Sequence, residues 1–190
     1  MLFRPPTQQK MTIGKLTETE LYGGIRRTKR WARVLPFTLY RIECDLSGRW
    51  RRLMPQVFRI MREDGDGWPN VASSANGLGV RPGRDIDVDS QGNVLTNGKG
   101  MSVNPSWQDA PLFRIPERLR HLKAGARGPN SNACFRHGSG PFSRGEFAEG
   151  LTVEPDSPTH ALIVPNAPVP LADYEAALAA TRSGWEKDEG

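Results

Sequence analysis

A chain of 190 residues with 37% hydrophobic content fits one domain with a loose arm, long enough to bury a core without disulfide support. Its 20 glycines and 16 prolines describe short elements joined by many loops, so long helices are expected to be few. The net charge of +5, from 26 Lys and Arg against 21 acidic residues, either draws anionic partners such as nucleotides and nucleic acid or simply solvates the surface.

No stretch approaches the roughly 18 apolar residues needed to cross a membrane, and Met1 to Pro6 lacks the hydrophobic centre of a secretory signal. A protein of this kind that leaves its cell is carried by a dedicated apparatus or partner. Cys44 and Cys134 show no metal-ligand spacing, which favours a cytosolic working compartment. His121 and His137 have no recognisable metal partner set, so no metal site is expected.

Residues 1–16 show no hydrophobic period and contain Pro5-Pro6, the pattern of an arm. Thr17 with Glu20 forms a capping-box pattern ahead of the basic run Arg26, Arg27, Lys29 and Arg30, and predicts a short cationic helix weakened by Gly23-Gly24. Residues 1–35 therefore read as a basic arm and 36–190 as the folded domain. Phe37 to Cys44 is expected to be the first core strand. Trp50, Leu53, Val57, Phe58 and Met61 share one helical stripe with Arg49, Arg51, Arg52, Arg59 and Arg62 opposite. The spacing predicts a helix that Pro55 kinks or delays.

Residues 63–84 carry loop chemistry. The alternation Asp85-Ile86-Asp87-Val88-Asp89, followed by Ser90-Gln91-Gly92-Asn93 and Val94-Leu95, predicts a hairpin rather than a calcium loop, because the glycine and distal glutamate of an EF-hand are absent. Met101 to Val103 and Leu112 to Ile115 are strand candidates, and 124–145 reads as a second long loop. Strands are expected at Leu151 to Glu154 and His160 to Val164, with a terminal helix from about Ala172 to Lys187. Lys99 lacks the flanking residues of a phosphate-binding P-loop, and no Gly-x-Ser-x-Gly elbow is present.

Three short segments remain. They are Leu39-Tyr40-Arg41, Gly98-Lys99-Gly100-Met101-Ser102-Val103 and Thr159-His160-Ala161-Leu162-Ile163-Val164-Pro165. In this order, with one terminal helix after them, they resemble the ADP-ribosyltransferase fold, and within it the small type VI secretion toxins of the Tse-two family. The resemblance covers about residues 36–187. It implies an α+β fold of split antiparallel β-sheets around a cleft with short flanking helices, NAD as cofactor, and a cognate immunity protein in the producing cell. It also implies a toxin acting on a macromolecule in the cytoplasm of a competitor bacterium, delivered there by the secretion apparatus.

On this resemblance Arg41 clamps NAD, Ser102 orients its ribose, and His160 completes the site where many transferases carry a glutamate. Tyr40, Gly100, Thr159 and Trp107 are the further cofactor contacts. Glu154 is the nearest acidic alternative for the missing carboxylate. Arg41 also has a structural reading, an ion pair with Asp45 or another acid, and Tyr40 alternates toward the core. Trp68 shares with Trp107 a position near loops where a ring stacks on nicotinamide or adenine. The resemblance places the last strand beside the first, so that His160 and Arg41 share one cavity.

Two other readings stay open: a basic nucleic-acid-binding protein using Arg26 to Arg33 and Arg49 to Arg62, and a transferase fold that binds without catalysis. Loops 63–84 and 124–145 would frame the opening for an acidic partner.

Overall fold

In this computed structural model the described residues are 42–44 and 50–190, with side chains from residue 53 onward; they belong to one unit spanning Leu39–Gly190. Arg41 and Tyr40, with the basic run at 26–33, lie outside the described residues. In chain order the elements are β1 Ile42–Cys44, β2 Trp50–Arg52, β3 Val57–Arg62, β4 Asn93–Val94, β5 Met101–Val103, β6 Asn132–His137, β7 Gly145–Ala148, β8 Leu151–Ser157, β9 His160–Pro165, β10 Val169–Pro170, α1 Leu171–Ala180 and β11 Glu186–Lys187. The architecture is α+β, mostly antiparallel strands with one short α-helix among the described residues.

The segment read as a helix over 50–62 is instead two strands. Val57, Phe58 and Ile60 are β-branched or aromatic and suit a pleated surface. Pro55 sits where a helix would need its N–H, and Gln56 N donates to Gly140 O instead at 3.0 Å. The helical stripe was mimicked because both faces of β3 are covered. Val57 and Met61 enter the main core, while Ile60 enters a second cluster with Cys134, so the apolar positions do not alternate. Arg59, expected to face solvent, is 4% exposed.

Strand β6 falls inside the segment expected to be a loop over 124–145. It is the centre of a three-stranded sheet of order β11-β6-β3. Leu112 to Ile115 forms turns rather than a strand, with Arg114 N donating to Pro111 O at 2.8 Å. The hairpin at 85–95 forms, closed by Asp89 N to Asn93 O at 2.9 Å and Leu95 N to Asp87 O at 3.0 Å. The terminal helix stops at Ala180. A short 3-10 turn at Arg182–Gly184 follows, and then β11 pairs with β6. Trp185 is fully buried there, its indole Nε1 donating to Thr181 Oγ1 at 3.1 Å.

A four-stranded antiparallel sheet of order β5-β9-β8-β7 holds β8 and β9, the two strands expected at 151–154 and 160–164. Both edges of β9 are taken, by β5 and β8, whereas β1 pairs with β2. β9, expected to lie beside the first strand, is therefore not paired with β1; it is filled on both sides by strands nearer to it in the chain. The three- and four-stranded sheets meet at Phe58 and Asn104, which exchange backbone hydrogen bonds of 2.7 and 2.9 Å.

Arg59 works at this junction. Its Nη1 donates to Ser102 O at 2.5 Å, Nε and Nη2 to Gly77 O at 3.3 and 3.1 Å, and Nη2 to Ala75 O at 3.3 Å. One guanidinium thus ties β3 to β5 and to the loop at 75–77. The main core packs beneath both sheets against α1, where Tyr174 and Leu178 are buried. The Tyr174 hydroxyl donates to Ile163 O at 2.6 Å and accepts from Met101 N at 3.4 Å, locking the helix to the β5–β9 ladder.

Candidate functional site

Cross-strand register decides which site residues meet. In β5, Met101 and Val103 are buried and Ser102 is half-buried; in β9, Ala161 and Ile163 are buried and His160 and Leu162 are half-buried. Leu151 and Val153 of β8 are buried between half-buried Thr152 and Glu154. The buried set faces the core and the other set faces outward, as alternation along strands requires. Ser102 pairs with Leu162 on one side of β9, and Glu154 pairs with the same Leu162 on the other. Directly opposed residues project to one face. Ser102 and Glu154 therefore stand on the outer face two strand spacings apart, about 10 Å.

His160 lies two residues along β9 on the same face. Its Nδ1 is 2.8 Å from both carboxylate oxygens of Asp156. A carboxylate only accepts, so Nδ1 carries the proton and Nε2 is left as the acceptor when the ring is neutral. Thr159 is exposed in the turn before β9; its carbonyl accepts from Asn104 Nδ2 at 2.7 Å, which ties the start of β9 to the end of β5. Glu154 is paired with Arg144, Nη2 to Oε1 2.6 Å, and the arginine is 75% exposed. So exposed a pair contributes little stability and is readily opened.

Beside this row lies a polar cleft of about 480 Å³ whose lining includes Thr96, Gly98, Arg144, Thr152, Glu154 and Asn166. Within its lining, Thr152 Oγ1 donates to Asn166 Oδ1 at 2.5 Å. Gly98 takes a positive φ of 79° with open space around it, the conformation that favours glycine at a turn. Gly100 has a different role. A Cβ there would lie 2.4 Å from Ile163 O and 3.0 Å from Val164 Cγ1, so the close approach that glycine permits is made by the chain itself.

Trp107 does not belong to this face. It is 3% exposed and packs with Ile60, Ile115, Leu119 and Cys134, which leaves no ring face for a nicotinamide or adenine. Trp68 is 37% exposed, in a separate turn whose Asp64 and Asp66 carboxylates accept from Arg182. Ser102 and His160 thus lie on adjacent strands β5 and β9, Thr159 in the turn before β9 and Gly100 just before β5, against Ile163 and Val164 at the other end of the ladder, and Trp107 is removed from this face. Among the described residues no group of three or more His, Cys, Asp or Glu could hold a metal ion, and no helix is long and apolar enough to cross a membrane. Glu154 gains the clearest place, and its signal in the sequence was the β8–β9 turn, which places the two strands side by side.

No protein-family model matches the chain, and no curated protein or solved structure matches it.

Proposed function

We propose that the protein is an NAD-dependent ADP-ribosyl-transferring toxin whose chemistry is centred on the outer face of the β5-β9-β8 sheet. The observation that supports this reading is the row Ser102, Leu162, Glu154, which sets a hydroxyl and a carboxylate on one surface around an apolar residue. Ser102 orients the nicotinamide ribose. Glu154, released from Arg144, faces the cationic charge that develops on the sugar as the bond to nicotinamide breaks and its electron pair leaves with the base. A nucleophile of the target then takes the ribosyl carbon. His160, held by Asp156, presents Nε2 to a ribose hydroxyl.

On this reading the carboxylate comes from β8 rather than from the start of β9. Arg41 remains the proposed clamp for the dinucleotide, and a cognate immunity protein and delivery by a secretion apparatus belong to the same proposal. The rival nucleic-acid reading counted Arg59 in its footprint, and that side chain is buried against backbone carbonyls.

The test is incubation of the full chain with NAD, with and without bacterial lysate, and chromatographic measurement of released nicotinamide. Release should fall at least about a hundredfold in Glu154→Gln, as expected when a single group stabilising the transition state is lost, and the folded variant should no longer arrest growth of a bacterial host. Absence of release by the folded native chain in lysate refutes the proposal.

A further inference from the structure

A second cavity, of about 490 Å³, shares no residue with the cleft beside the Ser102 row, and its lining includes His137 and Gly184. His137 ends β6 and is 6% exposed, with the ring centroids of Phe147 and Trp185 4.4 and 5.3 Å from its own. Its Nδ1 is buried without a hydrogen-bond partner. Nε2 has no partner among the described residues either, but it is not buried. A Cβ at Gly184 would lie 2.6 Å from Nε2, and the next nearest atoms, at 3.0 and 3.7 Å, are Cδ2 and Cε1 of the same ring. Gly184 is itself exposed. Its missing side chain leaves Nε2 within reach of the cavity, so an imidazole more than nine-tenths buried still has a hydrogen bond to make there.

The protonation of the ring decides what it can bind. Burial pushes the His137 pKa down to about 4, so at pH 7 the ring is neutral and carries one proton. Orphaned N–H groups inside proteins are rarer than orphaned acceptors, which puts the proton on Nε2 and the lone pair on the buried Nδ1. The cavity is therefore offered a donor and calls for an acceptor. Thr181, also in the lining, does not supply one: its hydroxyl donates to Leu178 O at 2.7 Å and accepts from Trp185 Nε1 at 3.1 Å.

The rest of the lining sets the body of the ligand. Among the described residues it holds no Lys or Arg, and its one carboxylate is that of the exposed Glu149. That charge repels an anion, and a cation would bring donors to a donor. An uncharged ligand is left. Ala148, Ala177 and Ala180 are small enough to leave room for a ring, and Met54, 41% exposed, adds a thioether of the kind that contacts aromatic rings favourably.

We propose that this cavity is a binding site for a small, uncharged aromatic compound carrying a carbonyl oxygen, which accepts a hydrogen bond from His137 Nε2. The ring lies against the alanines and Met54. The site does not depend on NAD turnover at the Ser102 face, and its test contains no NAD.

The full chain, labelled with nitrogen-15, is titrated at pH 7 with acetophenone and with ethylbenzene, which has nearly the same shape and no acceptor, and the backbone amides of Ala148, Ala180 and Gly184 are followed by NMR. Acetophenone should give saturable shifts at these amides in the millimolar range or below. Ethylbenzene should bind about fivefold more weakly, the scale of one net hydrogen bond. Ala180→Leu, at an exposed position of α1, fills the cavity and should weaken both by about tenfold or more. A folded His137→Phe variant should bind the two equally. The assignment is overturned if acetophenone gives no saturable shift at these amides, if ethylbenzene binds the native chain as tightly as acetophenone does, or if folded Ala180→Leu binds as the native chain does.

Discussion

Replacing Tyr174 by phenylalanine removes one oxygen and leaves the ring volume in the core. That oxygen donates to Ile163 O at 2.6 Å and accepts from Met101 N at 3.4 Å, and both Tyr174 and Ile163 are buried. The longer bond contributes little. The shorter one, once lost, leaves a buried carbonyl without that donor, which costs about 1–3 kcal/mol. For a chain of this size each kcal/mol moves the midpoint of thermal unfolding by about 2–4 °C, so Tyr174→Phe should lower Tm by about 2–12 °C in a calorimetric or circular-dichroism melt.

Burial also raises the Tyr174 pKa above that of an ordinary phenol. Above pH 10 the unfolded chain loses this proton while the folded chain keeps it, so stability falls as pH rises from there; the variant should show a smaller alkaline loss. Ser102→Ala, on the outer face, should leave Tm unchanged. A Tyr174→Phe melt within about 1 °C of the native one would refute the idea that this hydroxyl locks α1 to the β5–β9 ladder.

Gly100→Ala should be destabilised by about 1–3 kcal/mol in urea denaturation, the cost of forcing a methyl group against packed backbone, because its Cβ would sit 2.4 Å from Ile163 O. Burial against Phe147 and Trp185 pushes the His137 pKa from 6.5 down to about 4. Below pH 6.5 the unfolded chain takes up a proton that the folded chain refuses, so stability should fall between pH 6.5 and 4, by about 3 kcal/mol at roughly 1.4 kcal/mol per pH unit. A folded His137→Leu variant should lose much of this acid dependence, as read from urea midpoints across that range. Burial likewise pushes the Cys134 thiol up to about 12; at pH 8 iodoacetamide should leave it unmodified in the native protein and label it readily in urea, as mapped by peptide mass spectrometry.

The strands that carry the proposed site were legible because one face of their sheet is dry and the other is wet. Met101-Ser102-Val103 and Ala161-Leu162-Ile163 alternate for that reason, and the hairpin between β8 and β9 closes at Pro158-Thr159, after β8 has run on through Pro155-Asp156-Ser157. β3 was misread because it is covered on both faces and carries a buried arginine, so its apolar positions fall at helical spacing. β6 was hidden among turn residues, since Ala133, Cys134 and His137 fill core positions without looking like a strand.

Register was the deeper gap. Sequence order brought Glu154 close to the last strand, but only the pairing of Leu162 with both Ser102 and Glu154 sets the hydroxyl and the carboxylate on one face. Nothing local marks Arg59 as internal; its partners Gly77 and Ser102 lie 18 and 43 residues away in the chain. Trp107 looked available because it follows Pro105 in a turn-rich stretch, yet long-range packing on Ile60 and Cys134 buries it.

The most direct measurement is a crystal structure of the Glu154→Gln variant grown with NAD, since the slowed variant should hold the intact dinucleotide. The account predicts the nicotinamide ribose on the outer face of the β5-β9-β8 sheet, within hydrogen-bond distance of Ser102 Oγ and beside the side chain at 154. NAD bound elsewhere on the chain, or no bound NAD at millimolar concentration in a well-folded crystal, would contradict it.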